Sequence, residues 1–129
     1  MNKTAQEWFK QADHDMMAAG TMHRSGLYLQ TVFQCHMSIE KALKGLYSHR
    51  TGRVPPKTHN IQYLVELLNV VAPPQMDALL SELTLLNIES RYPDNLDVAL
   101  QTYDQTRTAH ILQESQETLR WIEEKLKKF

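Results

Sequence analysis

Between positions 32 and 47 the chain reads VFQCHMSIEKALKGLY, and Val32, Cys35, Ile39, Ala42, Leu43 and Leu46 recur at steps of three and four. That spacing gathers them into one apolar stripe on a helix. His36, Glu40 and Lys44, each four apart, make a second row on the same helix, flanked by Phe33, Met37 and Lys41. A helix that is apolar around much of its girth belongs at the centre of a bundle, with neighbours on several sides. The pattern predicts this central helix over 29–51. Gly45 inside it costs about 1 kcal/mol against alanine, which points to close approach by another helix.

The flanking segments carry the same period. A first helix is predicted from Thr4 to Arg24, opened by a Thr4/Glu7 capping box and closed by Ser25-Gly26. Trp8, Ala12, Asp15, Met16, Ala19 and Met22 are its expected buried side, with Asp13 and Asp15 expected in solvent. Pro55-Pro56 forces a loop after the central helix. Thr58 is placed as the cap of the next helix, with His59 and Asn60 in its first turn and Ile61, Leu64, Val65, Leu68 and Val71 on its apolar face. After Pro73-Pro74, a helix over 75–90 turns Met76, Leu79, Leu80, Leu83, Leu86 and Asn87 to one side. Pro93 disfavours helical geometry at Tyr92, so Arg91 and Tyr92 fall at that helix's end. Residues 95–103 connect, with room for one turn of helix, to a last helix over 104–127 with Thr108, Ile111, Leu112, Ser115, Leu119, Ile122 and Leu126 in its stripe. Glu123, Glu124, Lys125, Lys127 and Lys128 are expected at its solvated end. The sum is an all-α fold: an antiparallel up-and-down helix bundle of four long helices plus a short extra helical segment, in one domain over 1–129.

Composition narrows the function. A chain of 129 residues can bury a core without metal or disulfide staples. Its net charge is −1, so any contact with nucleic acid must come from a local basic patch or a dimer cleft. The single cysteine, Cys35, lies on an apolar stripe and has no disulfide partner, as suits a reducing cytoplasm. The first residues, MNKTAQEWFK, hold no apolar run, and no stretch approaches the ~20 apolar residues of a membrane span. There is no Cys-x-x-Cys, His-Glu-x-x-His or glycine-rich phosphate loop, and no Glu has His three residues on. Neither a metal nor a cofactor is expected.

Three ionisable groupings remain as candidate chemistry: Glu40 with Lys41 and Lys44, Lys57 with His59, and Arg91 with Tyr92. Each reads two ways. Glu40 and Lys44 form an ordinary i,i+4 pair or line a cleft. His59 holds its loop by a hydrogen bond or contacts a ligand. Arg91 favours a helix dipole or binds an anion.

The phrases around these residues resemble the HEPN domain family. Phe33 followed by Glu40-Lys41-Ala42-Leu43-Lys44 is similar to its second helix. Ala12-Asp13-His14-Asp15 is similar to its first. Pro56-Lys57-Thr58-His59-Asn60-Ile61 and Arg91-Tyr92-Pro93 complete the likeness, which covers residues 5–94 and thins over the last helix. The resemblance implies a small protein that forms a homodimer and works beside a minimal nucleotidyltransferase, in a toxin–antitoxin or stress module, with a nucleotide or RNA as a further ligand. Glu40, Lys41, Lys44, Lys57, His59, Arg91 and Tyr92 would carry that binding.

Many HEPN proteins are ribonucleases with an Arg-x4-6-His motif. Here Leu96, Asp97 and Val98 stand where that histidine would fall after Arg91. Without the imidazole there is no obvious general acid or base. The expectation is therefore a non-catalytic binding and assembly module. The alternative is a metal-independent ribonuclease with an atypical site. Phe33 and Met37, with Gly45 for close approach, are the surface expected to pair the subunits. If successive helices alternate in direction, Arg91 and Tyr92 should return to the bundle end that bears Lys57 and His59.

Overall fold

A helix with buried groups on both its apolar and its ionisable sides runs through the centre of the molecule. This is α2 (Tyr28–Thr51), which buries Val32, Cys35, Ile39, Ala42, Leu43 and Leu46, and also His36, Ser38, Glu40, Lys44 and Ser48. The structure is a computed structural model that describes the backbone of residues 2–128 and the side chains of 2–126. The side chains of Lys127 and Lys128 lie outside the described residues. Around α2 pack α1 (Lys3–Arg24), α3 (Ile61–Leu68), α4 (Pro74–Arg91) and α6 (Gln105–Glu124). A short α5 (Leu96–Thr102) links α4 to α6, and a 3-10 turn spans Lys125–Lys128.

Side-chain contacts fix the directions. Asn2 donates to the Ser48 carbonyl and Ser38 to the Ala12 carbonyl, so α1 runs antiparallel to α2. The end of α4 reaches Phe33 near the start of α2. The start of α6 meets the end of α1, where the His23 ring lies 3.3 Å from the Gln105 carbonyl oxygen. The four long helices thus alternate, as the sequence pattern predicts.

The short helix α3 departs from that alternation. His59 sits beside His36, and Arg50 donates to the Leu68 carbonyl at 3.0 Å, so α3 runs parallel to α2. The loop over 52–60 first travels back along α2. Nine residues reach up to about 30 Å, enough for the roughly 22 Å from Thr51 to His36 along a helix axis.

Several boundaries differ from the sequence reading, each for a local reason. Asn2, not Thr4, caps α1, accepting the Ala5 N–H at 2.7 Å. Phe9 fills the core while Trp8 sits half-buried at its rim. Asn60, not Thr58, caps α3, accepting from Tyr63 N–H at 3.1 Å. Thr58 instead accepts from the Asn60 N–H, a turn that keeps His59 outside the helix. The helix stops at Leu68 because Asn69 is left-handed at φ 52°, and Val71 beyond it is 87% exposed. The connection after Asn95, where room for one turn of helix is expected, forms two turns, α5, and the Asn95 side chain accepts from the Val98 N–H.

A Cβ built on Gly45 would fall 2.7 Å from the Phe9 ring and 3.1 Å from Trp8 Cβ. The expected close approach is real, and it lies within the chain, between α1 and α2. Gly45 therefore gives no opening to a second subunit. Cys35 is fully buried, and that burial pushes its thiol up to about 12, so it behaves as a small hydrophobe. Among the described residues, no helix is long and apolar enough to cross a membrane.

Candidate functional site

The returning loop delivers His59 onto the ionisable row of α2. Glu40 is almost fully buried, and its two carboxylate oxygens are both engaged: Oε1 lies 2.9 Å from His59 Nδ1, and Oε2 accepts from Lys44 Nζ at 3.1 Å. His36, one turn earlier and fully buried, places Nε2 3.0 Å from the His59 carbonyl oxygen. Burial holds the His36 pKa below its ordinary value, against the pull of Glu40. A neutral ring that donates from Nε2 leaves Nδ1 as an acceptor, facing Glu40 Oε1 at 3.8 Å without a donor. Lys44 also lies over the Trp8 ring, 5.6 Å from its centroid.

These contacts make Glu40 a clamp. It ties α2 to the loop before α3 and neutralises the buried ammonium of Lys44. Lys41 points the other way, to Asp15 on α1 at 2.8 Å. Asp15 is thus half-buried and paired, on the side of α1 that its stripe turns inward, rather than solvated. Its position among the Ala12 and Met16 core residues brings it within reach of α2.

A second cluster forms where α4 ends. Pro93 closes the helix, and Arg91 extends over α2 and over its own neighbour. Its guanidinium carbon lies 5.3 Å from the centroids of both Phe33 and Tyr92. Gln30, Phe33, Ser90, Arg91 and Tyr92 line a shallow hollow of about 280 Å³. Arg91 and Tyr92 are exposed, and among the described residues no carboxylate pairs with Arg91. Glu89, the obvious neighbour, instead accepts from the Tyr103 hydroxyl at 2.9 Å. Burial, helped by that hydrogen bond, pushes the Tyr103 phenol up to about 12.

The seven sequence candidates therefore divide. Glu40, Lys44 and His59 meet in one cluster, Lys41 pairs beside it, and Arg91 with Tyr92 forms the other. Lys57 is exposed on the returning loop, and no described contact joins it to Arg91. The two clusters share one face of α2, since Phe33, Met37, Glu40 and Lys44 follow at steps of four, three and four. Phe33 and Glu40 are about 10 Å apart along the axis. Arg91 and Tyr92 do not lie at the bundle end where α2 finishes. They lie where α2 begins, because the loop's return makes α3 parallel to α2 and so sends α4 the other way. Trp8, Asp15 and Gln30 escaped the sequence reading as members of these clusters. Only Phe33, two turns before Glu40 on the same face, carried a signal. Among the described residues, no three metal-ligating side chains converge.

The whole arrangement has relatives. The HEPN domain family matches residues 5–125. This chain belongs to the HEPN family. The match runs through α6, so the HEPN likeness extends past residue 94 to the last helix. A solved structure, TT1696 from Thermus thermophilus, is 29% identical, with a TM-score of 0.80 over 97% of this chain and 99% of that one. A second, ST0689, is described as an archaeal HEPN homologue. It is 21% identical, with a TM-score of 0.71 over 97% of this chain and 99% of that one, and shares the HEPN fold. No curated protein matches this HEPN chain.

Proposed function

We propose that this HEPN protein is a non-catalytic binding and assembly module. It forms a homodimer, associates with a minimal nucleotidyltransferase in a toxin–antitoxin or stress module, and takes the phosphate of a nucleotide at Arg91. The observation that carries this reading is the exposed Arg91 guanidinium, held between Phe33 and Tyr92 with no carboxylate partner among the described residues. A planar guanidinium gives fork contacts to phosphate, and the Tyr92 ring offers a base a face to stack on. Lys44, Lys41 and His59 are engaged with Glu40 or Asp15 and support the site rather than bind in it. Leu96, Asp97 and Val98 supply no imidazole beside Arg91, which favours binding over RNA cleavage. Large apolar side chains left exposed on α3, α4 and α5 support assembly with other chains.

Calorimetric titration of purine nucleotides tests the ligand. Wild type should bind, and Arg91→Ala should weaken binding at least about tenfold, the loss of one charge-assisted contact. No binding by wild type, or equal binding by both, refutes the nucleotide site. Cleavage of single-stranded RNA by wild type, lost in Arg91→Ala, would reinstate the ribonuclease reading. Sedimentation at tens of micromolar should give a dimer. A nucleotidyltransferase encoded by a neighbouring reading frame should co-purify with the native protein.

A further inference from the structure

A shallow hollow of about 260 Å³ opens where α1 starts and α2 ends, lined by Asn2, Thr4, Ser48, Gly52, Arg53 and Val54. Gly52 is left-handed there, at φ 68°, and its N–H meets the Ser48 carbonyl at 2.8 Å. The same carbonyl accepts from Asn2 Nδ2 at 3.3 Å, which fixes the start of α1 against the end of α2. Ser48 itself is only 2% exposed and lines the hollow, yet its hydroxyl has no partner among the described residues. A buried hydroxyl left unpaired is costly. A ligand in the hollow that accepts its proton removes that cost.

The other groups around the hollow are donors too. Of the N–H groups that open α1, the Asn2 side chain takes that of Ala5 at 2.7 Å. Those of Lys3 and Thr4 have no acceptor among the described residues. The first turn of this 22-residue helix holds no carboxylate, so its positive end is not answered within its own first turn. The Arg53 N–H donates to Thr51 Oγ1 at 3.0 Å, which sets Arg53 at the lip with its side chain exposed. Lys3 stands beside Thr4 in an adjoining hollow with Trp8, and Glu7 there accepts from Gln11. The acids at this end of the bundle are Glu7, Glu66, Asp77, Glu123 and Glu124, and none of them lines the hollow of Ser48.

We infer that this hollow is a second anion site, one that takes the terminal phosphate of a phosphate monoester. The N–H groups of Lys3 and Thr4 and the hydroxyls of Thr4 and Ser48 donate to its oxygens. The Arg53 guanidinium closes over it with a fork of two contacts. Ser48 lies fifteen residues beyond Phe33 on α2, about 22 Å along the axis, so this site and Arg91 do not share one phosphate. The inference goes beyond the reading of Arg91 and does not depend on it.

Titration of the full-length Arg91→Ala variant with inorganic phosphate, followed by backbone amide shifts, tests it. That background removes the other anion contact. The amides of Lys3, Thr4, Gly52 and Arg53 should shift and saturate. Adding the exposed change Arg53→Gln should weaken binding at least about tenfold, and Ser48→Ala should weaken it severalfold, with circular dichroism unchanged. Adenosine monophosphate should move the same amides, and adenosine should not. A single strand with a phosphorylated end distinguishes the sources of the group. Tighter binding than adenosine monophosphate assigns the site to strand ends, and equal or weaker binding assigns it to free phosphate esters. No saturable shift in these amides overturns the proposal, as do shifts that neither variant changes or equal responses to adenosine and its monophosphate. Failure here leaves nucleotide binding at Arg91 standing, because Arg91 is absent from the test.

Discussion

Two ionisable clusters share one face of α2, about two turns apart, and they differ in what their charges meet. At Glu40 every strong charge is answered inside the chain. Both carboxylate oxygens have partners, and the lysine that supplies one of them is itself buried. At Arg91, among the described residues, the cation meets only aromatic faces and solvent. A sequence motif sets Glu40, Lys44 and Arg91 side by side as conspicuous polar residues. The difference in pairing separates those that hold the fold from the one that has no carboxylate partner among the described residues.

The largest effect that would sharpen this contrast is Glu40→Ala. It strands the Lys44 ammonium, whose side chain is only 9% exposed, and releases His59. Removing one partner of a buried pair costs about 3 kcal/mol or more, so chemical denaturation should show a large fall in midpoint. A variant as stable as wild type would mean the clamp carries nothing. Next in size is Gly45→Ala. The added methyl meets the Phe9 ring at 2.7 Å, and overpacking of that kind costs about 1–3 kcal/mol, read as a lower Tm.

Acid should weaken the clamp through His36. Its native pKa lies below the ordinary 6.5. As pH falls through 6.5 the unfolded chain takes up a proton that the native ring refuses, so stability is present above 6.5 and is lost below it. The slope reaches at most about 1.4 kcal/mol per pH unit. Denaturation curves between neutral and mildly acidic pH should be steeper in pH for wild type than for His36→Gln, which keeps a donor to the His59 carbonyl without a titrating ring. Parallel curves would dissociate His36 from the effect. The smallest change belongs to Arg91→Ala, which should alter stability by less than about 1 kcal/mol. A large loss there would erase the distinction between the clusters.

The bundle was legible because periodicity survives errors of a residue or two. Val32, Cys35, Ile39, Ala42, Leu43 and Leu46 lie on one stripe wherever α2 begins. Caps were less legible, since Thr4 and Asn2, or Thr58 and Asn60, are equally good acceptors on paper. The choice falls to whichever places Phe9 or Ile61 in the core. The direction of α3 was invisible, because nothing in residues 52–60 states whether a loop turns over or doubles back. The decision is made by a long-range contact, His59 on Glu40, nineteen residues apart. The rule of alternation therefore puts His59 and Arg91 at the far end of α2, whereas the structure carries both toward its start, to His36 and Phe33.

The returning loop separates connectivity from packing. Its near end is fixed where the Gly52 N–H meets the Ser48 carbonyl, and its far end where His59 meets Glu40. Between them Arg53, Val54 and Lys57 face solvent, with Pro55 the buried exception. A chain opened between Arg53 and Val54 would keep both anchors and lose no core contact. The bundle's architecture thus tolerates a different order of its own segments: α3 through α6 could precede α1 and α2 in a rearranged gene, and the same clamp would bring them together.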